Sequence, residues 1–276
     1  MTASPGAITP EFLVLDGLRI RLARSPYPGA ETVLLLSPWP ESLYAFWPMW
    51  PELARQFDLI AVDLPGFGQS QGRPDLMSPQ AMGEFVTRLA AELAPGPVRA
   101  VGPDVGTGAL LSAAAAHPDA FRSLVVGAGA ATYPLRVGGV LNDLIDAPSL
   151  DALAQLDPAD VVHRVAGAIQ GYDMPGFVLD DYLASYAGSR YIESVPYVRS
   201  YPADLARLAP LLPELHTPVQ IIVGRDDPYG LADDAEALNR ELPTSRLDVL
   251  NTAHCAWEED PGRYASITAD WITRAA

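Results

Sequence analysis

The chain has 276 residues, 49% of them hydrophobic, which is enough for one large core or for a core with a smaller appended lobe. Its formal net charge is −16 and its 18 basic residues are all arginine, so we expect no binding to nucleic acid or membrane surfaces and exclude lysine-based phosphate or Schiff-base chemistry. One cysteine, Cys255, excludes an internal disulfide, and without a basic leader or a run of about 20 apolar residues we expect a soluble, cytoplasmic protein.

The first half of the chain alternates between apolar runs and helical segments. Asp16-Gly17 separates two alternating runs and predicts a β-hairpin. Helices are expected over 43–56, interrupted or kinked by Pro48 and Pro51, over 78–93 with Ser78 as N-cap, and up to 117. This alternation predicts a parallel sheet with helices on both faces. Its buried strands are predicted at 32–36, 59–62, 98–101 and 123–126.

The pattern changes between residues 131 and 212. Short helices are expected at 150–155, 159–169 and 179–186, and seven of the eleven tyrosines lie here. We interpret the segment as an inserted helical lid, although it could also consist of ordinary surface helices with packing aromatics. Asp180 and Asp181 predict a solvated face of this lid. Three parts result: a first core part (1–130), the lid (131–212) and a second core part (213–276).

The sheet pattern resumes after the lid. Apolar runs predict strands at 218–223 and 247–250, and helices are expected at 231–242 and 261–274. The second part therefore continues the same alternation.

Residues 98–111 predict a strand, a tight turn and an alanine-rich helix. Asp104 occupies the centre of the turn, between Gly102 and Gly106. Glycines allow a strained turn and a close approach of strand and helix, which is the arrangement of a nucleophile elbow. Serine is the usual residue there, and an aspartate would instead attack carbon directly and form an ester. Asp104 could otherwise serve as a helix cap.

Two further polar residues follow predicted strands. Asp227 comes after the strand at 218–223, and His254 comes after the last strand. Because the carboxyl ends of parallel strands share one sheet edge, we expect both to lie near Asp104. Their order along the chain is nucleophile, acid, base. Asp227 precedes Pro228 and could otherwise be a turn residue.

These motifs resemble the α/β-hydrolase superfamily over nearly the whole chain. With aspartate at the elbow, the sequence is similar to epoxide hydrolases and to haloalkane or haloacid dehalogenases. Residues 37–42, Ser-Pro-Trp-Pro-Glu-Ser, resemble the His-Gly-aromatic-Pro oxyanion loop of epoxide hydrolases, and 63–70 and 254–261 also match the superfamily. The resemblance implies an α/β-hydrolase fold, a mostly parallel eight-stranded sheet with helices on both faces and an inserted helical lid.

The resemblance also implies a mechanism. Asp104 would form an alkyl-enzyme ester, His254 would activate the water that hydrolyses it, and Asp227 would orient the imidazole. The backbone N–H groups of Val105 and Trp39 would form an oxyanion hole. An epoxide needs an acid, for which the lid tyrosines Tyr197 and Tyr172 are the first candidates.

Some departures from the family pattern affect the choice of substrate. Ser37-Pro38 replaces His-Gly, and Val105 stands where a halide-binding tryptophan is common. We therefore favour epoxide opening to a diol over dehalogenation. An ester or lactone hydrolase, a cyclase-like relative without covalent attack by Asp104, and a ligand-binding protein would also be compatible with this scaffold. We expect a small-molecule substrate, no cofactor or metal, and a monomer or homodimer.

Overall fold

The computed structural model describes residues 7–153 and 155–274, which are built around one eight-stranded sheet. The strands are Pro10–Leu15 (β1), Leu18–Ser25 (β2), Thr32–Leu36 (β3), Asp58–Val62 (β4), Val98–Pro103 (β5), Phe121–Gly127 (β6), Val219–Gly224 (β7) and Ser245–Leu250 (β8). They lie in the order β1-β2-β4-β3-β5-β6-β7-β8. The strand β2 is antiparallel to both β1 and β4, and all later neighbours are parallel. The mostly parallel eight-stranded sheet is thus confirmed.

The predicted hairpin joins β1 to β2. Leu15 pairs with Leu18, and both turn residues, Asp16 and Gly17, have positive φ, at 50° and 78°. Two positive φ angles match the twist of the flanking strands, which is why Asp-Gly is favoured in such turns. The central strands are buried on both faces, in agreement with their continuous apolar runs.

The described residues form twelve α-helices. The helix α2 packs against α3, and α1 packs against α12. None of the helices within 7–153 and 155–274 has the length and apolarity needed to cross a bilayer. The helices are Trp50–Leu53 (α1), Pro79–Leu93 (α2), Val105–Ala116 (α3), Gly139–Asp146 (α4), Pro158–Ala168 (α5), Gly176–Ser185 (α6), Arg190–Ser194 (α7), Pro196–Arg199 (α8), Tyr201–Leu208 (α9), Leu231–Glu241 (α10), Ala256–Glu259 (α11) and Pro261–Arg274 (α12).

The predicted helix over 43–56 is wrong in its extent, but its predicted interruption by prolines is confirmed. The structure has a 3-10 turn at Leu43–Phe46 and the four-residue helix α1, with Pro51 in the first turn of α1. Proline lacks a backbone N–H and clashes with the preceding turn, so a continuous helix cannot pass through Pro48 and Pro51. The helix predicted from Ser78 is confirmed, because the Ser78 hydroxyl accepts a hydrogen bond from the N–H of Ala81.

The segment between β6 and β7 contains the helices α4 to α9. The helices predicted at 159–169 and 179–186 correspond to α5 and α6. The predicted helix at 150–155 is wrong, since the chain there forms a 3-10 turn at Asp151–Leu153 and Ala154 lies outside the described residues. The division into two core parts and a lid stays a prediction. Below, the lid denotes the helices α4 to α9 within the predicted segment 131–212.

A buried arginine on β2 connects the sheet to the lid. The Arg21 guanidinium lies 3.3 Å from Asp63 of the core and 2.6 Å from Asp181 of α6. Ser42 also donates to Asp181, at 2.6 Å. The Asp181 side chain is only 11% exposed, so the predicted solvated face is wrong for this residue, although Asp180 is exposed. Arg21 and Asp181 are 160 positions apart, and local pattern gives no sign of their contact.

We expect Arg21→Met to lower the free energy of unfolding by about 3 kcal/mol, because it leaves two carboxylates without their shared cation. Burial already raises the pKa of Asp63 to about 6 against the effect of Arg21. Arg24→Met is the matched control on the same strand, and its exposed pair with Glu11 contributes below about 1 kcal/mol. Urea unfolding of the three proteins measures the difference. Equal losses of unfolding free energy in both variants would contradict a stabilising role for the buried ion pairs of Arg21.

Candidate active site

Asp104 lies at the sharp turn between β5 and α3. Its backbone has φ 51° and ψ −122°, a conformation that L-residues rarely adopt. A Cβ added to Gly102 would lie 2.6 Å from Leu110, and one added to Gly129 would lie 2.0 Å from the Asp104 carbonyl oxygen. Close packing on both sides therefore holds the strained turn. The geometry is that of a nucleophile elbow, as the sequence predicts.

The structure brings Asp104, Asp227 and His254 together. The Nδ1 atom of His254 lies 2.8 Å from Oδ2 of Asp227, and its Nε2 atom lies 3.9 Å from Oδ1 of Asp104. The other Asp227 oxygen accepts a hydrogen bond of 2.8 Å from the N–H of Tyr229. Asp227 can therefore fix the imidazole tautomer and orientation, with Nε2 directed toward Asp104.

The two oxygens of the Asp104 carboxylate have different surroundings. The backbone N–H of Trp39 donates to Oδ2 at 2.6 Å, and the N–H of Val105 also favours the ionised carboxylate. Oδ1 is the oxygen that faces His254. Oδ2 is thus held by the backbone donor of Trp39, while Oδ1 faces the imidazole. The same donor would stabilise negative charge on Oδ2 during hydrolysis of an ester at this position.

Electrostatics support a reactive carboxylate. Burial raises the pKa of Asp104 to about 6, although the positive charge of His254 and the N–H of Trp39 lower it. Burial lowers the pKa of His254, but the hydrogen bond and charge of Asp227 outweigh this effect and raise it above its ordinary value. An ionised carboxylate with so little hydration reacts more readily with carbon than one in water.

A cavity of about 380 Å³ opens above Asp104, a volume suited to a small organic molecule. Its wall is mostly apolar, with Asp104, His254 and Arg164 as the ionisable groups besides tyrosines. The lid contributes much of the wall. The remaining lining residues are Trp39, Pro40, Gly129, Ala130, Gly139, Val140, Leu141, Leu144, Leu156, Val161, Val165, Ala168, Tyr191, Val198, Tyr201, Pro228, Tyr229 and Leu231.

Neither tyrosine chosen from the sequence lines this cavity as the described residues form it. Tyr197 is fully buried and its hydroxyl donates to the carbonyl of Val105 at 2.8 Å, so its proton is already engaged. The Tyr172 hydroxyl is buried beside the carboxyl groups of Glu41 and Glu258. Both choices are therefore corrected. Chain position could not separate them from the remaining lid tyrosines, because packing decides which phenol reaches the cavity.

Three different tyrosines line the cavity. Tyr191 comes from α7, Tyr201 from α9 and Tyr229 from the loop after β7. Tyr229 packs edge-on against the ring of His254, with ring centroids 4.8 Å apart. Burial is the main cause that raises the pKa of Tyr191, and the nearby phenol of Tyr229 raises it further by electrostatic repulsion. Tyr229 thus lies against the triad, and Tyr191 lies within electrostatic range of Tyr229 in the same cavity.

The indole of Trp39 is engaged elsewhere. Its Nε1 atom donates to the Ser194 hydroxyl at 2.9 Å, and its ring stacks on Tyr191 at 5.2 Å. Trp39 is the only tryptophan among the cavity residues that the structure describes. Its contribution to the site is the backbone N–H and a flat apolar wall.

A buried carboxyl pair lies directly behind the triad, and no sequence motif indicates it. The carboxyls of Glu41 and Glu258 and the Cys255 thiol lie within 4.8 Å of one another. The Trp257 indole donates to Glu41 at 3.1 Å, and the Tyr182 hydroxyl donates to Glu258 at 3.0 Å. Burial raises the pKa of Glu41 to about 7 and that of Glu258 well above its ordinary value. Two buried carboxyls this close retain a proton between them.

Glu41→Gln should make stability less dependent on pH. A group whose pKa is higher in the folded than in the unfolded chain stabilises the fold below its unfolded pKa, near 4.5, and loses that contribution as pH rises toward 7. Between pH 5 and pH 8 we therefore expect the variant to gain roughly 1–3 kcal/mol of unfolding free energy relative to the wild type. Urea unfolding at both pH values measures this. A difference that does not change with pH would contradict the shared proton.

Comparison with known proteins agrees with this architecture. Residues 31–261 match the family model of the alpha/beta hydrolase fold. The uncharacterized hydrolase YugF of Bacillus subtilis (strain 168) is 24% identical over 266 residues, 94% of this chain and 96% of that protein. The epoxide hydrolase VrEH1 of Vigna radiata has a TM-score of 0.79 at 17% identity, covering 99% of this chain and all (100%) of that chain. A loop variant of haloalkane dehalogenase DbeA from Bradyrhizobium elkanii has a TM-score of 0.78 at 22% identity over 97% of each chain. The chain belongs to the alpha/beta hydrolase fold family.

Proposed function

We propose that this protein hydrolyses epoxides to diols through a covalent ester on Asp104. The observation that carries the proposal is the division of the Asp104 carboxylate, with Oδ2 bound by the N–H of Trp39 and Oδ1 turned toward His254. A residue that only capped α3 would accept a hydrogen bond from the N–H of the second or third residue of that helix, yet Asp104 makes no such side-chain cap.

In the first step Oδ1 of Asp104 attacks a ring carbon. The carbon–oxygen bond of the ring breaks, and the released oxygen takes a proton from Tyr191 or Tyr229. The product is a hydroxyalkyl ester of Asp104 and one phenolate. Both phenols line the same cavity as Asp104, and their raised pKa values keep them protonated before the reaction.

In the second step water attacks the carbonyl carbon of the ester while Nε2 of His254 takes its proton. Negative charge develops on Oδ2, where Trp39 presents its N–H group, and the N–H of Val105 also favours negative charge on this carboxyl group. Collapse of this tetrahedral intermediate breaks the bond between the carbonyl carbon and the alkyl oxygen. The alkyl oxygen takes the proton of the new carboxyl group and becomes the second hydroxyl of the diol. The imidazolium returns its proton to the phenolate through water, and Asp227 stabilises the imidazolium meanwhile.

The surroundings of the leaving group favour an epoxide over an organic halide. A halide ion needs N–H donors, but the indole of Trp39 already donates to Ser194, and Val105 supplies no side-chain donor. An opening epoxide needs a proton donor, and Tyr191 and Tyr229 supply two. The fold likeness to both VrEH1 and the DbeA variant is at low identity and does not choose between them. Dehalogenation is therefore the second candidate, with the same Asp104 attack.

Isotope labelling in a single turnover tests the covalent step. Excess enzyme reacts with styrene oxide in H₂¹⁸O, and the peptide containing Asp104 and the diol are both analysed by mass. The ester path places the ¹⁸O atom in Asp104 and leaves the diol of this first turnover unlabelled. A labelled diol with an unlabelled Asp104 would show direct attack by water, as expected of an ester or lactone hydrolase that does not use Asp104 as nucleophile.

A further inference from the structure

Arg164 is an exposed cationic side chain in the wall of a mostly apolar cavity. It lies on α5 and lines the cavity that contains Asp104 and His254. Among residues 7–153 and 155–274, none forms a hydrogen bond or an ion pair with its guanidinium. The guanidinium is therefore available to a ligand.

Asp160 is a possible ion-pair partner for Arg164 by its position in the sequence, but the two side chains are not paired. Asp160 lies four residues earlier on the same helix, at the spacing that favours an acid–arginine pair on a helix surface. Asp160 is exposed, and its carboxylate is not paired with Arg164 in the described structure. The arginine instead lines the cavity, where its charge acts on the phenols of Tyr191 and Tyr229.

The rest of the cavity wall is suited to an apolar part of the ligand. Apolar lid side chains such as Leu144, Val161 and Val165 form the wall, and Arg164 is the permanently charged cation among the lining residues. In a chain with net charge −16, general electrostatics repel anions, so an anion would be held here by a specific local contact. A planar guanidinium binds a carboxylate through two parallel hydrogen bonds.

We propose that Arg164 selects substrates that combine an apolar body with a carboxylate group. The carboxylate pairs with the guanidinium on the lid side of the cavity while the reactive carbon lies at Asp104. This inference deepens the proposed function by naming a substrate class, and it rests on that function only in taking this cavity as the substrate site.

Binding of unreactive probes tests the proposal without any turnover. Hexanoate and hexanamide have the same apolar body and differ in charge, and isothermal titration calorimetry at pH 8 gives Kd for each. We expect the wild type to bind hexanoate about tenfold more tightly than hexanamide. Arg164→Gln should bind both probes equally, and Arg164→Lys should keep part of the preference because it keeps the charge but loses the planar fork.

Arg55→Gln is the matched control, since Arg55 is exposed like Arg164 but does not line the cavity. It makes the same change in net charge and should retain the tenfold preference. The proposal is overturned if the wild type does not bind hexanoate, if it binds the two probes equally, or if the preference survives in Arg164→Gln. Because no probe can form an ester by Asp104 attack, these results are independent of the isotope experiment on the covalent step.

Discussion

Replacing Asp104 with asparagine is expected to lower kcat for epoxide hydrolysis by at least about 10⁴-fold. The amide has the shape of the carboxylate but cannot attack carbon, so no ester forms. Asparagine has nearly the same size and shape as aspartate, so it should be tolerated at the strained turn, where φ is 51°, and the fold should persist. Steady-state diol formation from styrene oxide measures the loss.

Two controls make the Asp104→Asn result specific. Intact mass must show that the introduced amide has not reverted to a carboxylate, because reversion would restore activity. Circular dichroism and urea unfolding must show a folded protein with wild-type stability to within about 1 kcal/mol. A folded Asp104→Asn variant that keeps more than a tenth of the wild-type kcat would contradict nucleophilic attack and favour activation of water by His254 alone.

The double variant Tyr191→Phe/Tyr229→Phe should lose about 10²–10⁴-fold in kcat for epoxides, the usual contribution of a positioned proton donor. Both substitutions keep the rings that pack on Trp39 and on His254. Only the two phenolic protons are removed. The oxygen of the opening epoxide ring must then leave as an unprotonated alkoxide. The decrease should therefore appear in the rate of ester formation, measured in a single turnover.

Tyr201→Phe is the matched control for the acid role. Tyr201 lines the same cavity, and its ring packs against Tyr197 at 5.8 Å. Its phenol lies within electrostatic range of Asp104, so it tests whether any cavity phenol suffices. If Tyr191 or Tyr229 donates the proton, Tyr201→Phe should change kcat by only a few-fold. Equal losses in Tyr201→Phe and in the double variant, or a double variant with wild-type activity, would contradict proton donation by Tyr191 and Tyr229.

The elements predicted best from sequence are those with a local physical cause. The turn of Asp104 requires small neighbours at fixed positions, and Asp16-Gly17 requires two positive φ angles, so both leave a readable local pattern. Asp227 and His254 follow strand ends, and a parallel sheet brings such positions to one edge. Their 2.8 Å contact follows from topology that the apolar runs already indicate.

The features that sequence did not predict depend on contacts between distant segments. Glu41 meets Cys255 across 214 positions, and Arg21 meets Asp181 across 160. The choice of cavity tyrosines has the same origin, because the direction of each phenol is set by how the lid helices pack. The lid carries many tyrosines at similar spacing, and nothing local distinguishes Tyr191 from Tyr197.

Intact-protein mass of His254→Gln after exposure to styrene oxide tests the central claim most directly. Without its base the enzyme should form the ester and fail to hydrolyse it. We predict a mass increase equal to the whole epoxide, located on the peptide that contains Asp104. The same variant exposed to 1-bromohexane would gain the alkyl group without bromine if dehalogenation were the activity. No adduct from a compound that the wild type converts would contradict the covalent aspartyl mechanism.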